Sequence, residues 1–99
     1  MSRPASTLHL LTRVDDLALA AMEAEQRAGH AVVCLCLHDA VYWASARLNG
    51  TLPVPPGIDT LTAGAEDCRR RSLSVPDGAA LGYPAIVEAI AAASRVVCW

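Results

Sequence analysis

The stretch from Ala31 to Ala44, AVVCLCLHDAVYWA, constrains the fold of this chain more than any other. Val32, Val33, Leu35 and Leu37, with Cys34 and Cys36 between them, form an apolar run without polar alternation. That is the pattern of a strand covered on both faces. The run stops at His38 and Asp39, and Ala40, Val41, Ala44 and Leu48 resume at helical spacing. A buried strand therefore passes directly into a helix that Asp39 is placed to cap. In an open parallel α/β sheet, ligands bind outside such strand ends. His38 and Asp39 are thus the first candidates for a working edge.

The same alternation of strand and helix runs along the chain. After a polar lead-in from Ser2 to Ser6, TLHLLT at 7–12 reads as a short buried strand, closed by Arg13. Asp15 and Asp16 supply negative charge at a helix start, and Leu17, Ala21, Ala24 and Ala28 make its expected inward stripe. The central strand and the helix from Asp39 to about Leu48 come next. TLPVPPG at 51–57 holds three prolines and a glycine and is an extended connection. Residues 58–62 (IDTLT) read as a third strand, followed by a helix from Ala65 to Arg71 whose acidic start and basic end suit the helix dipole. Residues 72–82 read as irregular, with a turn at Pro76, Asp77 and Gly78, and leave open whether Ala79 to Leu81 forms a vestigial strand. Pro84 opens a last helix with Ile86, Val87, Ile90 and Ala93 facing inward, and RVVCW at 95–99 is a final strand. Strands alternating with helices through short loops predict a single α/β domain built on a parallel sheet with helices on both faces.

Composition narrows the functional classes. A chain of 99 residues with 54% hydrophobic and 18% charged side chains is not a disordered one. Much of the apolar share is Ala, which buries little area per residue, so contacts with other subunits are expected to supply part of the stability. A net charge of −2 and a pI near 5.8 provide no basic field for phosphates, which argues against direct binding of nucleic acid. No apolar run approaches the ~20 residues that span a bilayer, and residues 1–7 lack the hydrophobic middle of a secretory signal. A cytoplasmic protein with four reduced cysteines is expected. Phosphate-binding, dinucleotide, C-x-x-C and G-x-S-x-G motifs are absent, so no cofactor is expected.

In order along the chain, STLHLLTR, LCLHDAVYWA, AGAEDCRRRSL, YPAIVEAI and VVCW resemble the DsrH/TusB branch of the DsrE/DsrF/DsrH-like sulfur-relay proteins. The resemblance covers nearly the whole sequence. It implies a flavodoxin-like three-layer sandwich with a four- to five-stranded, mostly parallel sheet. It further implies assembly with DsrE-like and DsrF-like subunits or with further copies of the chain, and a sulfur-carrier protein as a further partner. In that family persulfide sulfur passes from cysteine to cysteine, toward 2-thiouridine in tRNA or in sulfur oxidation. The sequence departs from the family where the DsrE-like subunit carries its active cysteine at the start of the helix after the third strand. That position holds Gly64, and Cys68 lies about one turn further on. The first helix has no cysteine, and a basic-Gly-Leu turn has become Arg71, Ser72, Leu73.

Among individual residues, Cys68 is the best candidate nucleophile, because Arg69, Arg70 and Arg71 would favour its thiolate. Glu66 and Asp67 act the other way, and a cysteine inside a helix is commonly a small core residue. Cys34, Cys36 and His38 form a row that resembles a metal set. Residues two apart on a strand are about 6.5 Å apart, however, and a structural zinc needs a fourth ligand, so no metal is expected. Cys98 reads as strand packing. His38 and Arg13, at the ends of neighbouring strands, are placed to draw an anionic sulfur species or a partner cysteine toward the edge that Asp39 and Gly64 share. Adjacent Tyr42 and Trp43 point in different directions, so at least one leaves the core, and both are candidate interface residues together with Trp99. His9 in mid-strand and His30 in a turn carry no assigned role. Three functional readings remain: an assembly subunit of a sulfur relay that is more structural than catalytic, with Cys68 as an accessory thiol; a stand-alone small-ligand or regulatory module; and a catalytic sulfurtransferase using Cys68.

Overall fold

The computed structural model describes residues 6–99; the expected lead-in at 2–5 lies outside them. Nine elements follow one another: β1 (Ser6–Leu11), α1 (Asp16–Arg27), β2 (Ala31–Cys36), α2 (Ala40–Leu48), β3 (Thr60–Gly64), α3 (Ala65–Arg70), β4 (Ala80–Leu81), α4 (Tyr83–Ala92) and β5 (Arg95–Cys98). The five strands form one all-parallel sheet in the order β4-β3-β2-β1-β5. The flavodoxin-like α/β sandwich expected from the sequence is therefore present, with its own strand order. No helix of the described residues is long and apolar enough to cross a membrane.

Connectivity dictates the layers. From β1 to β4 each crossover moves one strand in the same direction, and right-handed crossovers place α1, α2 and α3 on one face. The connection from β4 back to β5 runs the opposite way across the sheet, which puts α4 on the other face. At the carboxyl ends of β3 and β4 the chain thus departs to opposite faces, the point at which open α/β sheets form their crevice. Gly64, the last residue of β3, stands at that point.

The core lies between the sheet and α1 to α3. Leu11, Val32, Cys34, Cys36, Leu61 and Ala63 from the strands meet Ala18 and Met22 of α1, Ala40, Val41 and Ala44 of α2, and Cys68 of α3. Full burial of a side chain the size of Leu11 or Met22 contributes roughly 1.5–3 kcal/mol. The opposite face buries Leu8 and Leu35, whereas α4 has no buried residue. Tyr83, Val87 and Ile90, at i, i+4 and i+7, are exposed.

Three local expectations differ from the structure, the first being the inward stripe of α4, whose Val87 and Ile90 are exposed. The inward stripe of α1 is Ala18 and Met22, not Leu17, Ala21, Ala24 and Ala28; Leu17 is 69% exposed. One residue of offset is about 100° around a helix, and the Asp15 cap, accepting from Ala18 N at 2.9 Å, sets that phase. β3 begins two residues later than expected, because Asp59 is used as a tether: its carboxylate accepts from Val32 N at 2.7 Å and from Gln26 Nε2 at 3.0 Å. Gly57, at φ +100°, lies against α1 so closely that a Cβ would sit 2.6 Å from Glu23 Cα. The proline-rich connection is thereby pressed onto the first helix.

Candidate functional site

The carboxyl ends of β2 and β3 bring together His38, Asp39, Gly64, Asp67, Cys68 and Arg71. The chain leaves β2 through His38, which holds a left-handed backbone (φ 51°), uncommon for a residue with a side chain. Asp39 consequently enters α2 already helical (φ −70°, ψ −15°), and its carboxylate makes no cap bond. The expected capping role is not the observed one. Asp39 Oδ1 instead accepts from Arg71 Nε at 3.1 Å and Nη2 at 3.0 Å.

Arg71 ties two elements to this corner. Its Nη1 donates to the Asp67 carbonyl oxygen at 3.1 Å and lies 3.6 Å from Asp67 Oδ1. The same Asp67 oxygen is 4.0 Å from His38 Nδ1, an electrostatic contact longer than a hydrogen bond. Gly64 makes room for this arrangement. A Cβ there would stand 2.9 Å from Leu37 Cδ2 and 3.1 Å from Asp67 Oδ2. A side chain at this position would require the ends of the Leu37 and Asp67 side chains to shift.

Cys68 is 3% exposed and belongs to the core beneath α3. Burial pushes its thiol above the ordinary range and Asp67 pushes it further, with Arg71 opposing. Arg69 and Arg70 do not help, since both pair with Glu66, at 2.6 Å and 3.6 Å. Sequence adjacency therefore overstated the cationic field. Cys34 and Cys36 are fully buried with their sulfurs 3.9 Å apart, and the contact with Cys34 together with burial raises the Cys36 thiol. All four cysteines are free, and Cys98 is the exposed one. Among the described residues no three His, Cys, Asp or Glu side chains converge as a metal site requires.

Arg13 and Tyr42 are exposed, Arg13 just beyond β1 and Tyr42 on the first turn of α2. Trp43 packs on the core with the Arg47 guanidinium 4.1 Å above its ring. Trp99 also turns inward, where its Nε1 donates to His9 Nδ1 at 2.9 Å. His9 is fully buried on the α1 side of β1, with Nε2 3.4 Å from Glu25 Oε1 but not aligned for a hydrogen bond. Sequence reading left this group unassigned. The signal was present, since a histidine inside the apolar run LHLL must find polar partners or stay neutral. In the sequence Asp67 and Arg71 count as helix-end charges and as neighbours that bias Cys68, and their joint contact with Asp39 has no local signal there. Comparison of the chain with protein-family models, with curated proteins and with solved structures finds no match.

Proposed function

We propose that this chain is a non-carrying subunit of a sulfur-relay assembly of the DsrE/DsrF/DsrH type, closest to DsrH/TusB, that positions partners rather than bearing the persulfide. The observation that carries this reading is the corner at Gly64. A thiol cannot be placed at the start of α3 without displacing Leu37 and Asp67, and the nearby Cys68 is a buried, protonated core residue. What the edge presents instead is a set of polar side chains: His38, Asp39 paired with Arg71 and, one strand away, Arg13. Such a surface suits a partner's cysteine loop carrying an anionic persulfide, with DsrE-like and DsrF-like subunits as the partners and tRNA 2-thiouridine synthesis or sulfur oxidation as the pathway served. A sulfur-carrier protein is a further partner on this reading, and the compartment is the cytoplasm.

The test has two parts. Peptide mass mapping after exposure to a persulfide donor, alongside Cys68→Ser, is expected to show no added sulfur on Cys68. Mixing with DsrE-like and DsrF-like subunits is expected to give a complex that co-elutes on size exclusion. Sulfur on Cys68 would make the chain a carrier. Absence of co-elution would favour the stand-alone regulatory module, the second reading that the missing family cysteines permit.

A further inference from the structure

The buried pair of His9 and Trp99 plays no part in the proposed relay. β1 lies between β2 and β5, and His9 is in register with Cys34 on one side and Val97 on the other. Its ring is stacked near the Trp99 indole, with centroids 6.2 Å apart and planes 13° from parallel. Because Nδ1 accepts the indole N–H, the neutral ring carries its own proton on Nε2, on the side of Glu25. The charged and titratable groups facing it are Glu25 from α1, Arg95 from β5, whose Nη2 is 3.9 Å from the same Glu25 oxygen, and Cys34 from β2. Burial holds the imidazole below the usual histidine range, against the pull of Glu25 and with a small assist from Arg95.

Beyond the β1–β5 ladder and the Ser94 contact with Ser6, Trp99 is a further point at which β5 is fastened to the sheet. Its N–H donates to Leu10 O at 2.9 Å, its carbonyl accepts from Thr12 N at 3.3 Å and Thr12 Oγ1 at 2.9 Å, and its indole reaches His9. β5 itself is a four-residue edge strand paired on one side only, and Arg95, Val96 and Cys98 are exposed. Edge elements with few buried groups open locally at low cost.

We propose that the Trp99–His9 hydrogen bond is a proton-operated latch on β5. A proton added to Nδ1 abolishes the only acceptor facing the indole and sets N–H against N–H. The indole then turns away, and the outer edge of the sheet loosens while β1 to β3 stay folded. Glu25 supplies the counter-charge that lets His9⁺ persist inside the fold, so the acid form is an opened native state and not an unfolded one.

The experiment is amide hydrogen exchange by NMR, expressed as protection factors, at about pH 7.5 and about pH 5, the range over which histidines change charge. In the wild type, protection at Val97 and Trp99, whose N–H groups face β1, is expected to fall on the order of tenfold on acidification, the equivalent of one hydrogen bond, relative to residues 32–36 of β2. In His9→Gln, whose carbonyl still accepts from the indole but gains no proton, the fall is expected to vanish. Trp99→Phe is the second variant: β5 should be poorly protected at both pH values, without a step. The latch is overturned by an equal loss in β2 and β5, by a β5 step that survives either substitution, or by a β5 that stays protected at the lower pH.

Discussion

The two faces of this sheet are built from the same strands yet do different work. On the α1 to α3 side, Leu11, Met22, Val32, Val41 and their neighbours close a continuous core, and the helices are held by residues with no solvent exposure. On the α4 side, Leu8 and Leu35 are buried, but the helix crossing them contributes no buried residue and exposes Tyr83, Val87 and Ile90. One long crossover must span the width that three short ones cover opposite, so its coverage is thin. Stability should therefore be lopsided, while the polar corner sits at the carboxyl edge that both faces share.

The largest expected effect is on the thick face. Met22→Ala should cost about 2–5 kcal/mol in denaturant unfolding, as for other fully buried side chains cut back to Ala, whereas Ile90→Ala should cost less than about 1 kcal/mol. Equal losses would break the comparison. Gly64→Ala comes next, at about 1 kcal/mol, because the new methyl meets the ends of the Leu37 and Asp67 side chains, which must shift. The same variant should disturb the Arg71 contacts with Asp67 and Asp39, visible as a shifted Arg71 Nε–H signal.

The pH dependence of stability follows from shifts of opposite direction. His9 is lowered from 6.5 in the fold, so between its folded value and 6.5 the unfolded chain binds more protons, and stability drops as pH falls below about 6.5. Cys68 is raised from 9.0, so its contribution is fully present below 9.0 and is lost as pH climbs above it. Urea midpoints across pH should fall at both ends, with the acid limb absent in His9→Gln. The smallest effect is expected for Asp39→Asn. Arg71 is largely covered but Asp39 is 82% exposed, so the pair should contribute below about 1 kcal/mol and less in high salt.

What could be read from the sequence was whatever is encoded locally. Apolar runs such as AVVCLC, breakers such as TLPVPPG, and Pro84 at a helix start located the longer elements, while the two-residue β4 inside 79–81 is too short for its pattern to decide. What escaped depends on rotation or on distant partners. With alanines on every side of α1, two stripes one residue apart look alike, and the Asp15 cap selects between them only in three dimensions. Asp39 looked like a cap because its residue type suits one, yet the left-handed His38 before it had already set the helix phase. Cys68 looked activated beside three arginines until two of them were found on Glu66. The His9, Trp99 and Glu25 group joins β1, β5 and α1 from the far ends of the chain, a juxtaposition that no local pattern displays.

The most direct test of the central claim, that Cys68 is a core thiol and not a sulfur carrier, is the labelling rate of each cysteine with a thiol reagent at neutral pH, read by peptide mass. Cys98 should label quickly, and Cys34, Cys36 and Cys68 should label slowly together, at rates set by opening of the fold. A Cys68 that labels as fast as Cys98 while Cys34 and Cys36 stay protected would contradict the claim and return the acceptor role to α3.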